Sequence, residues 1–189
     1  MSQLSRDLIV HAAINILQTY GLQDLSIRKV ARQLGVQPGA LYWYFPNKQA
    51  LLGAVCSYIL SCDSPSLEPP LPAIHLTTSS AWAQHVATVA EDLRTRALSF
   101  RDGSELLSAA LAAQTAHFPQ LDLLTSYVSE VSSTPQVHAR ALLLFILGAL
   151  VDEQTRRQLA ELADTDTSTD ASADILSAGL SAITAGLTV

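Results

Sequence analysis

Apolar residues recur every three or four positions over the first 60 residues, which is the spacing of amphipathic helices. No run in the sequence alternates apolar and polar residues as a half-buried strand does. Ser, Asn and Pro stand where such helices would begin, and Gly and Pro where they would end. The predicted helices are a first from Ser5 to Tyr20 ended by Gly21, a short second between Ser26 and Gly35, a short third from Pro38 to Pro46, and a fourth from Lys48 to about Leu60 capped by Asn47.

The rest of the chain predicts a bundle of longer helices. A stretch rich in Pro, Ser and Thr at 63–80 indicates a loop, and a Ser/Thr/Asp tract at 164–172 indicates another. Five helices are predicted around these loops. They run from about 81 to 100, from about 104 to 115, from 119 to 132, from 135 to 163, and from the second loop to the C-terminus. The middle of the 135–163 helix is apolar all round, which indicates burial on several sides. The predicted fold class is therefore all-α.

Charge is distributed unevenly along the chain. The net charge of the whole chain is −6, which as an average argues against nucleic-acid binding. Residues 1–50 nevertheless carry five Lys or Arg and two Asp, a net +3, while the remainder carries six cations and fifteen anions, a net −9. A basic head on an acidic body suits a protein whose head neutralises phosphates while its body is repelled by the duplex.

The composition predicts a soluble, cytoplasmic protein with an unusual amount of apolar surface. Hydrophobic residues make up 49% of the chain and charged residues only 15%, so part of the surface is expected to contact a partner subunit or a ligand. The longest apolar run, 141–151, is short of the roughly 20 residues that cross a bilayer, and we expect no leader segment. Cys56 and Cys62 are predicted to be free thiols.

Residues 25–48 carry the most specific pattern of the chain, LSIRKVARQLGVQPGALYWYFPNK. Two short helices joined by a turn around a glycine are typical of a helix-turn-helix. The outer face of the predicted third helix carries small and aromatic residues, which let a backbone approach base edges, and tyrosine hydroxyls and Lys48 can reach phosphate oxygens. Arg28 can make a bidentate contact to guanine or contact only a phosphate, and the sequence leaves both open.

This segment resembles the N-terminal domain of the tetracycline-repressor (TetR) family of transcriptional regulators. The resemblance rests on a first helix ending in Tyr-Gly, then SIRKVARQLGV, then LYWYFPNKQALL, and it covers roughly the first 55 residues. It implies a homodimer that binds a palindromic double-stranded DNA operator, with repression as the family expectation. The residues assigned to the DNA contact, by the motif and by the resemblance, are Arg28, Gln37, Pro38, Gly39, Ala40, Tyr42, Trp43, Tyr44 and Lys48.

The body resembles that of the tetracycline repressor in two stretches, 93–103 and 144–154. In that protein the bundle encloses a drug chelated to magnesium through histidine and amide side chains, so the resemblance implies an effector pocket here. The matched positions are apolar in this chain, however, with a carboxylate retained only at Asp152. Apolar side chains supply no ligands for magnesium, so tetracycline is not expected to be the effector and no metal is expected.

A surviving pocket is therefore expected to take a small apolar effector without a cofactor. Its predicted wall is drawn from the helices at 81–100, at about 104–115 and at 135–163, and ordinary bundle core is the alternative explanation for each residue in it. The predicted ligand-binding residues are Trp82, Val86, Val89, Leu93, Leu107, Leu111, Leu144 and Gly148, with Asp152 as a polar anchor.

The sequence shows no spacing typical of a catalytic or metal centre. His75, His85, His117 and His138 are scattered without a ligand-like interval. Neither a nucleophile elbow nor a glycine-rich phosphate loop occurs. An enzyme is therefore not expected.

These observations predict two domains: a helix-turn-helix DNA-binding domain at 1–47, with its motif at about 25–44, and a ligand-binding and dimerisation domain at 48–189. Two chains are expected to pair through the 135–163 helix and the C-terminal helix, and effector entry to move the fourth helix and displace the heads. One alternative is a ligand-independent dimeric DNA-binding protein. Another is a helical enzyme or cofactor carrier with a vestigial head.

Overall fold

The chain folds into α-helices throughout the part that the structure describes. The computed structural model describes residues 4–62, 74, 80–163 and 170–187, with only the backbone described at 170–174. Its helices are α1 (Arg6–Tyr20), α2 (Ile27–Leu34), α3 (Pro38–Tyr42), α4 (Lys48–Ser61), α5 (Ala81–Leu98), α6 (Gly103–Ala113), α7 (Pro119–Val128), α8 (Pro135–Ala163) and α9 (Asp170–Leu187). The all-α fold class is confirmed, and no strand occurs among these residues.

Capping hydrogen bonds confirm where the helices of the head begin. The side-chain oxygens of the predicted caps Ser26 and Asn47 accept a bond from the backbone N–H three residues later, at 3.2 and 2.8 Å. Ser5, where the first helix was predicted to begin, does the same at 3.2 Å. Each bond satisfies a helix N–H that has no partner within its own helix. Gly35 ends α2 with a φ of 67°, the left-handed conformation that glycine adopts without a Cβ penalty.

Helix α3 is shorter than predicted. It ends at Tyr42, although the sequence predicted a helix that continued to Pro46. The residue before a proline is disfavoured in the helical region, so Phe45 turns out of the helix. Its ring is completely buried. The chain between α3 and α4 is consequently fixed by an anchored aromatic side chain.

The predicted loop at 164–172 is wrong from residue 170 onward, because α9 begins at Asp170. Residues 164–169 lie outside the described part of the chain. So does the predicted loop at 63–80, apart from Ile74 and Ser80.

Helix α8 is the central helix of the bundle, in contact with α5, α6, α7 and α9. Its inner face buries Leu143, Leu147 and Leu150. By length and composition alone this 29-residue helix could cross a membrane. The buried Glu153 and Gln154 and the four packed neighbours instead identify it as a core helix.

The opposite face of α8 is not covered within one chain. Val137 is 66% exposed, Leu144 54% and Leu159 59%. The open side of the helix is the one that the sequence analysis left for pairing with a second chain. An exposed apolar row of this length is typical of a surface that is buried against a partner.

The head is hydrogen-bonded to the turn between α5 and α6. Gln18 Nε2 donates to the carbonyl of Ser99 at 3.1 Å, and Gln18 Oε1 accepts from the N–H of Arg101 at 2.8 Å. Arg101 Nη1 donates in turn to the carbonyl of Thr19 at 3.2 Å. Helix α4 packs on α1 in the head and on α5 and α6 in the body. The head and the body thus meet both at α4 and at the end of α1.

Candidate nucleic-acid interface and effector pocket

The short α3 is held rigidly from behind. Leu41 and Phe45 insert into the core of the head, where α1 and α2 are packed. Arg6 supports the same turn, because its guanidinium lies 4.3 Å from the centre of the Phe45 ring and donates to the Tyr44 carbonyl at 3.0 Å. This inner anchoring leaves the other side of α3 facing solvent.

The solvent face of the head displays the residues that the sequence assigned to DNA contact. Trp43 is 90% exposed and Tyr42 48%. Two aromatic side chains exposed at neighbouring positions form an apolar patch, which is typical of a surface that meets a partner. Arg28, Gln37, Gly39 and Lys48 are exposed, and Pro38 and Ala40 are half-buried.

Tyr44 differs from the other predicted contact residues. Its ring is half-buried and packs against the core, and its hydroxyl donates to the carbonyl of Leu4 at 2.7 Å. A phosphate contact by this hydroxyl would compete with that bond. The structure therefore gives Tyr44 a role in attaching the N-terminal segment to the end of α3.

A groove of about 330 Å³ opens where α2 and α4 begin. It is lined by Ser26, Arg28, Tyr42, Asn47 and Lys48, among others. Two helix N-termini, each with unpaired backbone N–H groups and a positive dipole end, meet there with a guanidinium and an ammonium. The groove is thus suited to a phosphate oxygen. Sequence reasoning found three of these residues but missed the groove, whose signal was the two capping residues.

Lys29 is a cation of the head that is already engaged. Its ammonium lies 2.8 Å from Asp24 Oδ1 and 3.7 Å from the centre of the Tyr20 ring. It therefore ties α2 to the end of α1. Lys29 was not assigned to the DNA contact.

The predicted effector pocket is only partly assembled by the fold. Its residues on α5 and α6 are all buried, and their spacing places them on one stripe of each helix. These buried residues are Trp82, Val86, Val89, Leu93, Leu107 and Leu111. Helices α5 and α6 pack on each other, and all six side chains belong to one hydrophobic core.

The three pocket residues predicted on α8 lie elsewhere. Leu144 and Gly148 are on its exposed face, and Asp152 is exposed and paired with Arg156. Their immediate neighbours Leu143 and Leu147 are instead on the buried face of α8, which packs in the bundle. Successive residues of a helix point about 100° apart, so Leu143 and Leu147 face the bundle while Leu144 and Gly148 face outward.

Sequence reasoning missed a buried ion pair beside the pocket. Arg94 and Glu153 are both almost completely buried and make a bidentate contact at 2.9 and 2.7 Å that joins α5 to α8. Arg157 donates to the same carboxylate from the next turn of α8. The described residues contain no cluster of His, Cys, Asp and Glu that could hold a metal ion.

The fold and its exposed short helix define a class: this is a DNA-binding helix-turn-helix protein whose reading head is followed by a helical bundle. A family model of bacterial regulatory proteins, the tetR family, matches residues 9–55. The tetracycline repressor protein class C of Escherichia coli is 26% identical over 164 residues, covering 85% of this chain and 71% of that protein.

Solved structures agree over nearly the whole chain. BioQ from Mycobacterium smegmatis is 32% identical with a TM-score of 0.81, covering 98% of each chain. A Q116A variant of TetR from Acinetobacter baumannii AYE, in complex with minocycline, is 26% identical with a TM-score of 0.71, covering 97% of this chain and 96% of the other. The chain belongs to the tetR family of bacterial regulatory proteins. It is a DNA-binding transcriptional regulator and not an enzyme.

Proposed function

We propose that this protein is a repressor that holds a palindromic operator with the α3 helices of a homodimer and releases it when a small effector enters the pocket between α5 and α6. The observation that carries this proposal is the 90% exposure of Trp43 beside a helix whose other side is completely anchored. A BioQ structure has been solved with its double-stranded DNA operator, and that chain is 32% identical to this one. The TetR relative solved in complex with minocycline supports a small-molecule effector for this chain.

The DNA contact is proposed to have two parts. Gly39 and Ala40 let the start of α3 approach base edges, while Tyr42 and Lys48 hold phosphates in the groove at the start of α4. Arg28 lies on the rim of that groove, where its guanidinium can reach either a phosphate or a guanine edge. Gln37, Pro38 and Trp43 complete the surface that would face the duplex, and Tyr44 serves mainly to position it.

The dimer is proposed to form through the exposed apolar faces of α8 and α9. Members of the tetR family are dimers. Val137, Leu144 and Leu159 lie on α8 and Ile175 on α9, which pack side by side. Pairing of these helices with their copies would bury the row and present two α3 helices to one operator. Such a protein would act in the cytoplasm, where the DNA is.

Operator binding measured against salt tests the DNA contact most directly. An operator selected from random duplexes by the purified protein would be titrated with wild type, Lys48→Ala and Tyr42→Phe, with Lys48→Arg as the charge-preserving control. If Lys48 contacts a phosphate, its removal lowers the slope of log K against log salt by about one, and the control keeps the slope. Binding that is equally strong and equally salt-dependent in all four proteins would contradict this interface.

A ligand-independent dimeric DNA-binding protein is the alternative function. The buried residues on α5 and α6 are equally well explained as ordinary hydrophobic core that binds no ligand. A thermal-shift screen against small apolar molecules separates the two. A ligand at 100 times its Kd should stabilise the folded protein by about 2.7 kcal/mol. Molecules that stabilise the protein must also release the operator if they are effectors.

A further inference from the structure

Trp82 carries a buried hydrogen-bond donor that no described residue satisfies. The residue is only 5% exposed, and its indole Nε1 has no hydrogen-bond partner among the residues that the structure describes. Buried tryptophan N–H groups usually find an acceptor, because a buried unsatisfied donor costs about 1–3 kcal/mol. A donor left open at this cost is a place where a bound molecule gains affinity.

The position of Trp82 connects this open donor to the effector pocket. Trp82 lies on α5 four residues before Val86 and seven before Val89, so the three share the buried stripe. Helix α5 packs on α6, and the buried Leu107 and Leu111 of α6 belong to the same hydrophobic core as this stripe. The indole N–H is thus a polar group on an otherwise apolar lining.

We propose that the effector carries a neutral hydrogen-bond acceptor, a carbonyl or ether oxygen, that binds the indole N–H of Trp82. This inference rests on the proposed function and narrows the effector from a hydrocarbon to an apolar molecule with one oxygen function. A carboxylate is disfavoured, because the buried guanidinium beside this stripe, that of Arg94, is already paired with Glu153. The pocket therefore selects for shape through its aliphatic wall and for orientation through Trp82.

The test uses matched ligand pairs and the fact that the chain has two tryptophans, Trp43 and Trp82. In a Trp43→Phe protein the fluorescence reports Trp82 alone, and DNA binding is measured separately in the wild type. The probes are aryl ketones and their methylene counterparts, beginning with benzophenone and diphenylmethane. We expect the ketone to bind at least about fivefold more tightly in Trp43→Phe, which corresponds to about 1 kcal/mol.

The second half of the test removes the N–H. In Trp43→Phe/Trp82→Phe, followed by thermal shift, the ketone and the hydrocarbon should bind within about twofold of each other. If this protein is poorly folded, replacement of Trp82 in Trp43→Phe by β-(3-benzothienyl)alanine removes the N–H without changing the shape. A ketone preference that survives either change, or that is absent from Trp43→Phe, overturns the proposal.

The outcomes also separate this inference from the proposed function. Hydrocarbons that bind and release the operator, with no preference for ketones, would leave an effector-responsive repressor but remove the role of Trp82. If no pair binds Trp43→Phe, the acceptor proposal fails, while salt-dependent operator binding still supports the DNA-binding part of the proposed function.

Discussion

The carboxylate of Asp102, in the turn before α6, accepts a hydrogen bond at 2.8 Å from the backbone N–H of Leu22, which lies 80 residues earlier in the head. Its other oxygen accepts from Gln158 Nε2 on α8 at 2.7 Å. Asp102 itself has a φ of 54°, a left-handed conformation that Asp tolerates better than most residues. One carboxylate thus joins the head, the turn and the central helix.

Replacement of Asp102 is expected to loosen this joint. Asp102→Ala loses both bonds and strains the backbone, so the free energy of unfolding should fall by about 1–3 kcal/mol. Asp102→Asn, which tolerates the left-handed conformation, should lose less. Hydrogen exchange at the Leu22 amide and urea denaturation measure the two effects. An unchanged exchange rate in Asp102→Ala would contradict the role given to this bond, and Gln158→Ala controls for the bond to α8 alone.

Gly39 should separate folding from DNA binding. A Cβ added at this position meets no atom within 4 Å, so Gly39→Leu is expected to fold as well as the wild type. The added side chain would nevertheless hold α3 away from base edges and lower operator affinity by roughly tenfold or more, which is about 1.4 kcal/mol. Gly53→Ala provides the contrast: its Cβ would collide with the carbonyl of Thr115, so it should lose stability. Normal operator affinity in Gly39→Leu would rule out close approach at this residue.

The exposed row on α8 is expected to control dimerisation. Leu144→Asp places a charge on an apolar surface that must be desolvated when two chains pair, which strongly opposes association. Light scattering coupled to size exclusion should then give the 20.2 kDa of one chain instead of twice that mass. Leu123→Asp, at another exposed leucine on α7, is the matched control and should remain dimeric. A dimeric Leu144→Asp would place the interface elsewhere.

The ion pair of Arg94 and Glu153 should behave as a unit. Arg94→Met leaves a buried carboxylate without its bidentate partner and is expected to cost about 3–5 kcal/mol in unfolding free energy. Arg94→Met/Glu153→Leu removes both charges and should be clearly more stable than the sum of the single changes predicts. A double-mutant cycle by chemical denaturation gives the coupling. Strict additivity would show that the contact contributes nothing of its own.

Burial raises the pKa of the Cys56 thiol to about 12. In the unfolded chain a cysteine ionises near about 8.5, so folding keeps this thiol protonated well into the alkaline range. The contribution of this shift to the free energy of unfolding is full below about 8.5, the value in the unfolded chain, and is lost as the pH rises toward 12. In the native protein at pH 8, Cys56 should not react with a disulfide reagent until the protein unfolds, which a labelled peptide map checks. Rapid labelling of native Cys56 would contradict its burial.

The head could be predicted from sequence almost residue by residue, because its signals are local. Ser5, Ser26 and Asn47 each bond to an amide three positions away, so the pattern and the structure report the same short-range chemistry. The end of α3 was the exception. There, the restriction that Pro46 imposes on Phe45 outweighed the apolar spacing that favoured a longer helix.

The bundle was harder, because its contacts join distant parts of the chain. Arg94 and Glu153 are 59 residues apart, and no local pattern pairs them. The apolar middle of α8 hid which side faces the pocket, so Leu144 was chosen where Leu143 and Leu147 face the interior. A helix that is hydrophobic on all sides has no amphipathic periodicity, so its sequence does not show which face is buried in the bundle.

The brevity of α3 limits how much sequence one head can read. Five helical residues rise about 7.5 Å, little more than two base-pair steps of about 3.4 Å. A sequence of two or three base pairs recurs by chance throughout any bacterial chromosome. One promoter can therefore be singled out only when two heads bind two such half-sites at a fixed spacing, so the distance between the heads contributes to specificity.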